Sequence, residues 1–342
     1  VISSVSQVAS TRKSATIPSM RRRSLLRLAA TTGLASLAPS RAAEPADAPN
    51  AGVTPDDAPE IVDTHTHFYD PGRPEGVPWP EPGSWLHRRV LPDDWAALAR
   101  PHGITRTVVV EASDWVEDNQ WLLDLAAGDS RIVGVVGNLD PMAPEFASRL
   151  RRFAAHPVFR GIRNRRPNAE LRTLVDQPAF RTALRQLAEA GLALDVNIGN
   201  PEDLAAVARL TATLPDLRLV LDHVAGAGDP RRLSEAWKSG LRAAATRPGV
   251  YCKVSGLVEQ TDSAHGEAPR DPEFYLPILD HVWDCFGEDR VIFGSNWPVS
   301  DRGAPFATVF DVVNSFFTAK GSAARGKFFL GNSKTAYRWI DR

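Results

Sequence analysis

A single-domain α/β barrel, (β/α)8, is the fold class predicted by this 342-residue sequence. Three observations predict it. Beyond Glu60, short β-branched runs alternate with longer stretches whose apolar residues recur every three or four positions, the pattern of parallel strands joined by helices. The runs number eight, the count that closes such a barrel. No glycine-rich phosphate loop follows the first run, which argues against an open doubly wound sheet.

In chain order the first segment is a leader, residues 1–42. From Met20 it reads Arg21-Arg22-Arg23-Ser24-Leu25-Leu26-Arg27, continues through Ala, Leu and Thr to Ala38, and ends on Pro39-Ser40-Arg41-Ala42. A charged start, a short apolar stretch and a small-residue cleavage site make the plan of an export signal, and the paired arginines resemble the twin-arginine type. The expected location is therefore the periplasm. The apolar stretch is too short for a permanent membrane anchor. Residues 43–59, rich in Ala, Pro and Asp, read as a flexible linker, and the barrel is expected over 60–342.

Its strands are expected at 60–63, 105–111, 132–138, 159–163, 192–197, 217–222, 250–254 and 290–294. Helical periodicity fills the intervals between them; Phe180, Leu184, Leu187 and Ala188 line one face before Gly191 ends that element. Segment 71–91 holds several prolines with Trp79 and Trp85 and has little periodicity, so it reads as a long loop over the barrel mouth.

Charge excludes some partners. With 40 Lys and Arg against 41 Asp and Glu there is no global field to attract nucleic acid, and small-molecule chemistry is the expected role. A homo-oligomer is compatible with the composition. Cys252 and Cys285 are too few for a disulfide framework and lack metal-site spacing, so each reads as a small packing residue.

Chemistry concentrates where strands end. His65 and His67, one residue apart at the end of the first strand, leave an extended chain on the same side and can close on one ion or one substrate oxygen. Reactive groups of a parallel barrel gather at the carboxyl ends of its strands. Here the other ends carry Glu111, Arg163-Asn164, Asp195 and Asn197, Asp222-His223, Lys253 and Ser255, and Ser295-Asn296-Trp297-Pro298.

These motifs together resemble the amidohydrolase superfamily, in the amidohydrolase-related branch that contains sugar-lactone and pyrone-dicarboxylate lactonases. Asp63-Thr64-His65-Thr66-His67 is similar to its first-strand signature, Gly161-Ile162-Arg163 to its fourth-strand arginine, Leu221-Asp222-His223 to its sixth-strand histidine and Phe293-Gly294-Ser295-Asn296-Trp297-Pro298 to its last-strand motif. The resemblance runs from about Glu60 to Trp339 and implies a barrel with hydrolytic chemistry.

One position departs from the pattern. The family's last strand carries an aspartate, the group that activates water, where this chain has Asn296. An amide has no basic site near neutral pH, so another base is expected. Asp301, in the same loop, is the nearest carboxylate in sequence, with Glu111 and His223 as alternatives.

The expected ligands of a divalent metal are His65, His67 and His223 with Glu111 as an oxygen donor, a set that suits zinc or manganese. A metal-independent site, in which the histidines polarise the carbonyl by hydrogen bonds, is the other form the resemblance allows. Arg163 offers a planar fork to a substrate carboxylate or ring oxygen. Asn197, Lys253 and Trp297 are the further expected substrate contacts. Asp222, next to His223 in an alternating strand, is expected to face away, capping a helix or orienting a neighbour. His102, His156, His265 and His281 read as structural or surface groups. The resulting expectation is a lactonase opening a small lactone or cyclic ester, with a non-oxidative decarboxylase and a non-catalytic binding barrel as alternatives.

Overall fold

The structure, a computed structural model, describes residues 60–163 and 167–342. The expected leader and linker, and Asn164 with its arginine neighbours, lie outside the described residues. Strands β1 (Ile61–Thr66), β2 (Ile104–Val110), β3 (Ile132–Gly137), β4 (Phe159–Arg163), β5 (Ala193–Asn197), β6 (Arg218–Asp222), β7 (Val250–Val254) and β8 (Val291–Phe293) form one sheet in chain order, each pair of neighbours parallel. The sheet curls until its edges meet. Asn296 N donates to His65 O at 2.8 Å and His67 N donates to Trp297 O at 2.9 Å, joining the end of β1 to the segment after β8.

All eight expected strands are present. The largest difference is in β1, which continues through Thr66 and so makes His65 a strand residue. Asp63 holds this stretch in place: its Oδ1 accepts from His65 N at 3.1 Å and Ser295 N at 2.8 Å, and its Oδ2 from Trp95 Nε1 at 3.2 Å.

Helices follow every strand on the outside of the barrel. Pro178–Glu189 is representative: Phe180, Ala183, Leu184 and Leu187 are its buried face, and Gly191 stands beyond its end at φ 70°. Segment 71–91 contains no helix or named strand, as expected of the loop, and Tyr69 bridges Val90 across its base. No described helix is long and apolar enough to cross a membrane.

Inside the barrel Val62, Val108, Val110, Val136, Val220 and Ile292 pack with Tyr337 and Trp339 of the C-terminal segment. Burying side chains of this size is worth about 1.5–3 kcal/mol each. Arg218 Nε, at the start of β6, donates to Ala336 O at 2.8 Å, so the C-terminal segment closes the amino end of the barrel. The opposite, carboxyl end is left for polar side chains. Both cysteines are unpaired, Cys252 buried and Cys285 half-buried.

Candidate active site

Strand alternation decides which side chains reach the barrel centre. On β6, Val220 packs in the interior cluster while Leu219 and Leu221 pack outward, so Asp222 also points inward. This corrects the expectation that Asp222 faces away. Alternation was applied to the wrong neighbour: His223 is the residue that has left the strand. It has φ 53° and is followed by Val224 at 46° and Ala225 at 53°. Three successive non-glycine residues in the left-handed region are unusual, and such conformations cluster where a site dictates the backbone. Here they swing the imidazole back over Asp222. Its Nδ1 hydrogen-bonds with Ser255 Oγ at 3.0 Å, and the same oxygen accepts from His223 N at 3.2 Å. Gly256, at φ 58°, is required beside it, because a Cβ there would stand 2.8 Å from His223 Nδ1.

His65, Asp222 and His223 form the heart of the site, with one donor atom from each within 4.8 Å of the others. Asp222 Oδ1 lies 3.4 Å from His65 Nδ1 and 2.9 Å from Lys253 Nζ, and its Oδ2 lies 3.6 Å from Arg163 Nη1. Lys253 Nζ is also 2.8 Å from Asp195 Oδ2, which accepts from Tyr337 Oη at 2.6 Å. Two buried cations thus brace two buried aspartates directly beneath the histidines.

Protonation follows from this packing. Burial works against ionised Asp222, yet Lys253 and then His65 hold its carboxyl well below the usual range. Burial pushes the Asp195 carboxyl up, against the pull of Lys253 and with the aid of the neighbouring Asp222 charge. Burial also drives His65 well below the ordinary imidazole value and His223 down to about 4, in both cases against the attraction of Asp222. Near neutral pH both imidazoles are uncharged and carry a lone pair.

Above His223 opens a cavity of about 440 Å³, whose wall includes Asn197, Gly256, Glu259, Gln260, Asn296 and Arg302. Its size and polar lining suit a small hydroxylated molecule. Of the expected substrate contacts, Asn197 lies in this wall. Lys253 does not: it is 0% exposed and committed to two carboxylates, so it acts as an internal counter-ion. Trp297 is buried as well, with the Arg88 guanidinium 5.8 Å from its ring centre, and backs the loop instead of facing the cavity. Arg163, 8% exposed, donates from Nε to Glu111 Oε1 at 2.8 Å and from Nη2 to Glu111 O at 2.7 Å. This pairing engages Glu111 Oε1 and two of the three guanidinium nitrogens of Arg163. The remaining Nη1 stands 3.3 Å from His65 Nε2.

Asp301, the expected substitute base, is drawn toward Arg88 at 3.6 Å and is absent from the cavity wall. Glu259, which carries no motif in the sequence, lines that wall instead. Asn296 Nδ2 donates to Glu259 Oε1 at 2.7 Å. His67 lies beside the cluster: its ring centre is 5.0 Å from that of His65, and its Nδ1 donates to Val110 O at 3.0 Å. At the rim, Trp85 and His265 make an edge contact at 4.8 Å between ring centres, which ties segment 71–91 to the loop after β7.

Comparison with known proteins agrees with this geometry. The amidohydrolase family pattern matches residues 62–339. The chain belongs to the amidohydrolase family. This amidohydrolase is 32% identical over 290 residues to an L-fucono-1,5-lactonase of Burkholderia ambifaria, an alignment covering 82% of this chain and 96% of the relative. It is also 32% identical to an L-fucono-1,5-lactonase of Burkholderia multivorans, over 80% of this chain and 93% of that one. Among solved structures, an amidohydrolase from Burkholderia multivorans with bound zinc superposes with a TM-score of 0.74 at 29% identity, covering 82% of this chain and 99% of that chain.

The donor set of this amidohydrolase fits a divalent ion. Two uncharged imidazoles and an ionised carboxylate, one donor from each gathered within 4.8 Å, are the chemistry such ions select. The carboxylate in this grouping is Asp222; the sequence reading named Glu111.

Proposed function

We propose that this chain is a lactonase that opens a small sugar-type lactone by addition of water. The observation that carries the reading is the His65, Asp222 and His223 cluster, whose His223 lines a cavity of about 440 Å³. Relatives that are L-fucono-1,5-lactonases support a 1,5-lactone of a sugar acid as the substrate.

His223 is the member of the cluster that reaches the cavity, so it meets the reacting carbonyl, while His65 and Asp222 stand behind it. A zinc or manganese ion held by these three residues would supply Lewis-acid polarisation of the carbonyl oxygen. Asn197, Gln260, Asn296 and Arg302 offer donors and acceptors for ring hydroxyls. Water adds to the carbonyl carbon, the ring carbon-oxygen bond breaks, and the ring oxygen leaves as a hydroxyl. Arg163 and Lys253 are positioning residues that keep Asp222 ionised and the imidazoles in place. From its twin-arginine-like leader we further propose that the enzyme acts in the periplasm.

Acid release from a panel of sugar 1,5-lactones, followed beside carbon dioxide release from aromatic acids, tests the assignment. Lactone opening without decarboxylation is the expected outcome. Carbon dioxide release with every lactone left intact overturns it.

A further inference from the structure

We infer that Glu259 is the general base of this site, substituting for the aspartate that Asn296 has replaced; the inference rests on the lactonase reading above. A hydrolase must take a proton from water as the new bond forms, and an amide cannot do so. The other carboxylates near the centre have cationic partners and lie outside the cavity wall. Asp195 and Asp222 brace Lys253, Glu111 holds Arg163, and Asp301 turns to Arg88. Glu259 instead lies in the cavity wall with His223 and Asn296.

Its setting is that of a presented group. The loop after β7 forms a short turn, Val258–Gln260, that carries Glu259 to the last-strand motif. Asn296 sits at φ 61° with its backbone N bonded to His65 O, so the amide is fixed on the same strand end as the histidine. That amide donates to Glu259 Oε1 at 2.7 Å. Glu259 Oε2 is buried and accepts no hydrogen bond from the described residues, which leaves one oxygen for a proton. Asn296 thereby keeps a part in the reaction: it orients a carboxylate one hydrogen bond away from where the family carries its own.

The surroundings tune the group for this work. Burial lifts the Glu259 carboxyl to about 7, opposed by the Asn296 hydrogen bond, by its own backbone N–H and by Arg302, and aided by Asp301. Tyr275 also feels its charge, and His223 shares its cavity wall. A base with this affinity accepts a proton at neutral pH and returns it readily. In the balanced step Glu259 takes one proton from water as the oxygen-carbon bond forms. It delivers that proton to the ring oxygen as the ring bond breaks, ending ionised as it began.

The test compares wild type, Glu259→Gln and Glu259→Gln/Asn296→Asp in lactone opening across pH, with circular dichroism as the check on folding. Glu259→Gln is expected to lower kcat at least ~100-fold and to remove the limb that rises through about pH 7 in the wild type. The double variant, which restores the family aspartate, is expected to regain at least ~10-fold of that loss with its rising limb at lower pH. A carboxyl infrared band that titrates near neutrality and vanishes in Glu259→Gln is the readout independent of turnover. Wild-type kcat and pH profile in Glu259→Gln overturn the assignment alone. A wild type that opens no lactone overturns the lactonase reading and this assignment with it.

Discussion

Lys253→Met is expected to destabilise the fold by about 3–5 kcal/mol, the cost of leaving a buried charge without its partner. Lys253 is fully buried and stands 2.8 Å from Asp195 and 2.9 Å from Asp222. Methionine fills much of the same volume, so the loss is electrostatic more than a cavity effect. Two desolvated carboxyls would then keep only Arg163, 3.6 Å from Asp222, as a cationic partner, and each would favour its neutral form more than in the wild type. A carboxyl whose pKa is raised in the folded state binds its proton more tightly there than in the unfolded chain, so lowering the pH favours the folded variant. The deficit of the variant relative to wild type should therefore narrow as pH falls from neutrality. Urea unfolding at several pH values measures both effects. A deficit below about 1 kcal/mol at neutral pH would place the pair among weak, solvent-screened bridges and contradict the role given to Lys253.

Asp222→Asn is expected to lower kcat at least ~100-fold with little change in KM, because Asp222 supports the imidazoles without reaching the cavity. Asparagine keeps the shape but removes the charge that offsets Arg163 and Lys253 and the carboxylate donor of the cluster. Asp195 still pairs with Lys253, so the variant should fold. Asp301→Asn is the internal control. Its side chain faces Arg88 outside the cavity wall, and steady-state kinetics should show less than ~3-fold loss. Equal losses in the two variants would contradict the site as drawn here.

These two residues also mark where the sequence was legible. The barrel was readable because parallel strands buried on both faces are written as β-branched runs, and all eight runs became strands. The strand-end rule found His65, His223, Glu111, Arg163, Asn197, Lys253 and Asn296. What it does not encode is which polar group takes which partner. Glu111 and Arg163 are far apart in sequence, so their pairing follows only from the closed barrel. Asp222 was misplaced because alternation holds inside a strand and fails at its end, where His223 turns to φ 53°. Glu259 left no local mark: it follows β7 by several residues, in a loop without a motif. The signal that points to it is the missing aspartate itself, because a substitute carboxylate can come from any strand-to-helix loop and not only from the loop that carries Asn296.

The central claim is that the His65, Asp222 and His223 cluster opens a lactone in the cavity that His223 lines. The most direct test is the initial rate of sugar 1,5-lactone opening by wild type and by His223→Ala, each verified as folded. The wild type is expected to hydrolyse the lactone readily, with a loss of about 100-fold to 10,000-fold in the variant. An unchanged rate in His223→Ala would contradict it.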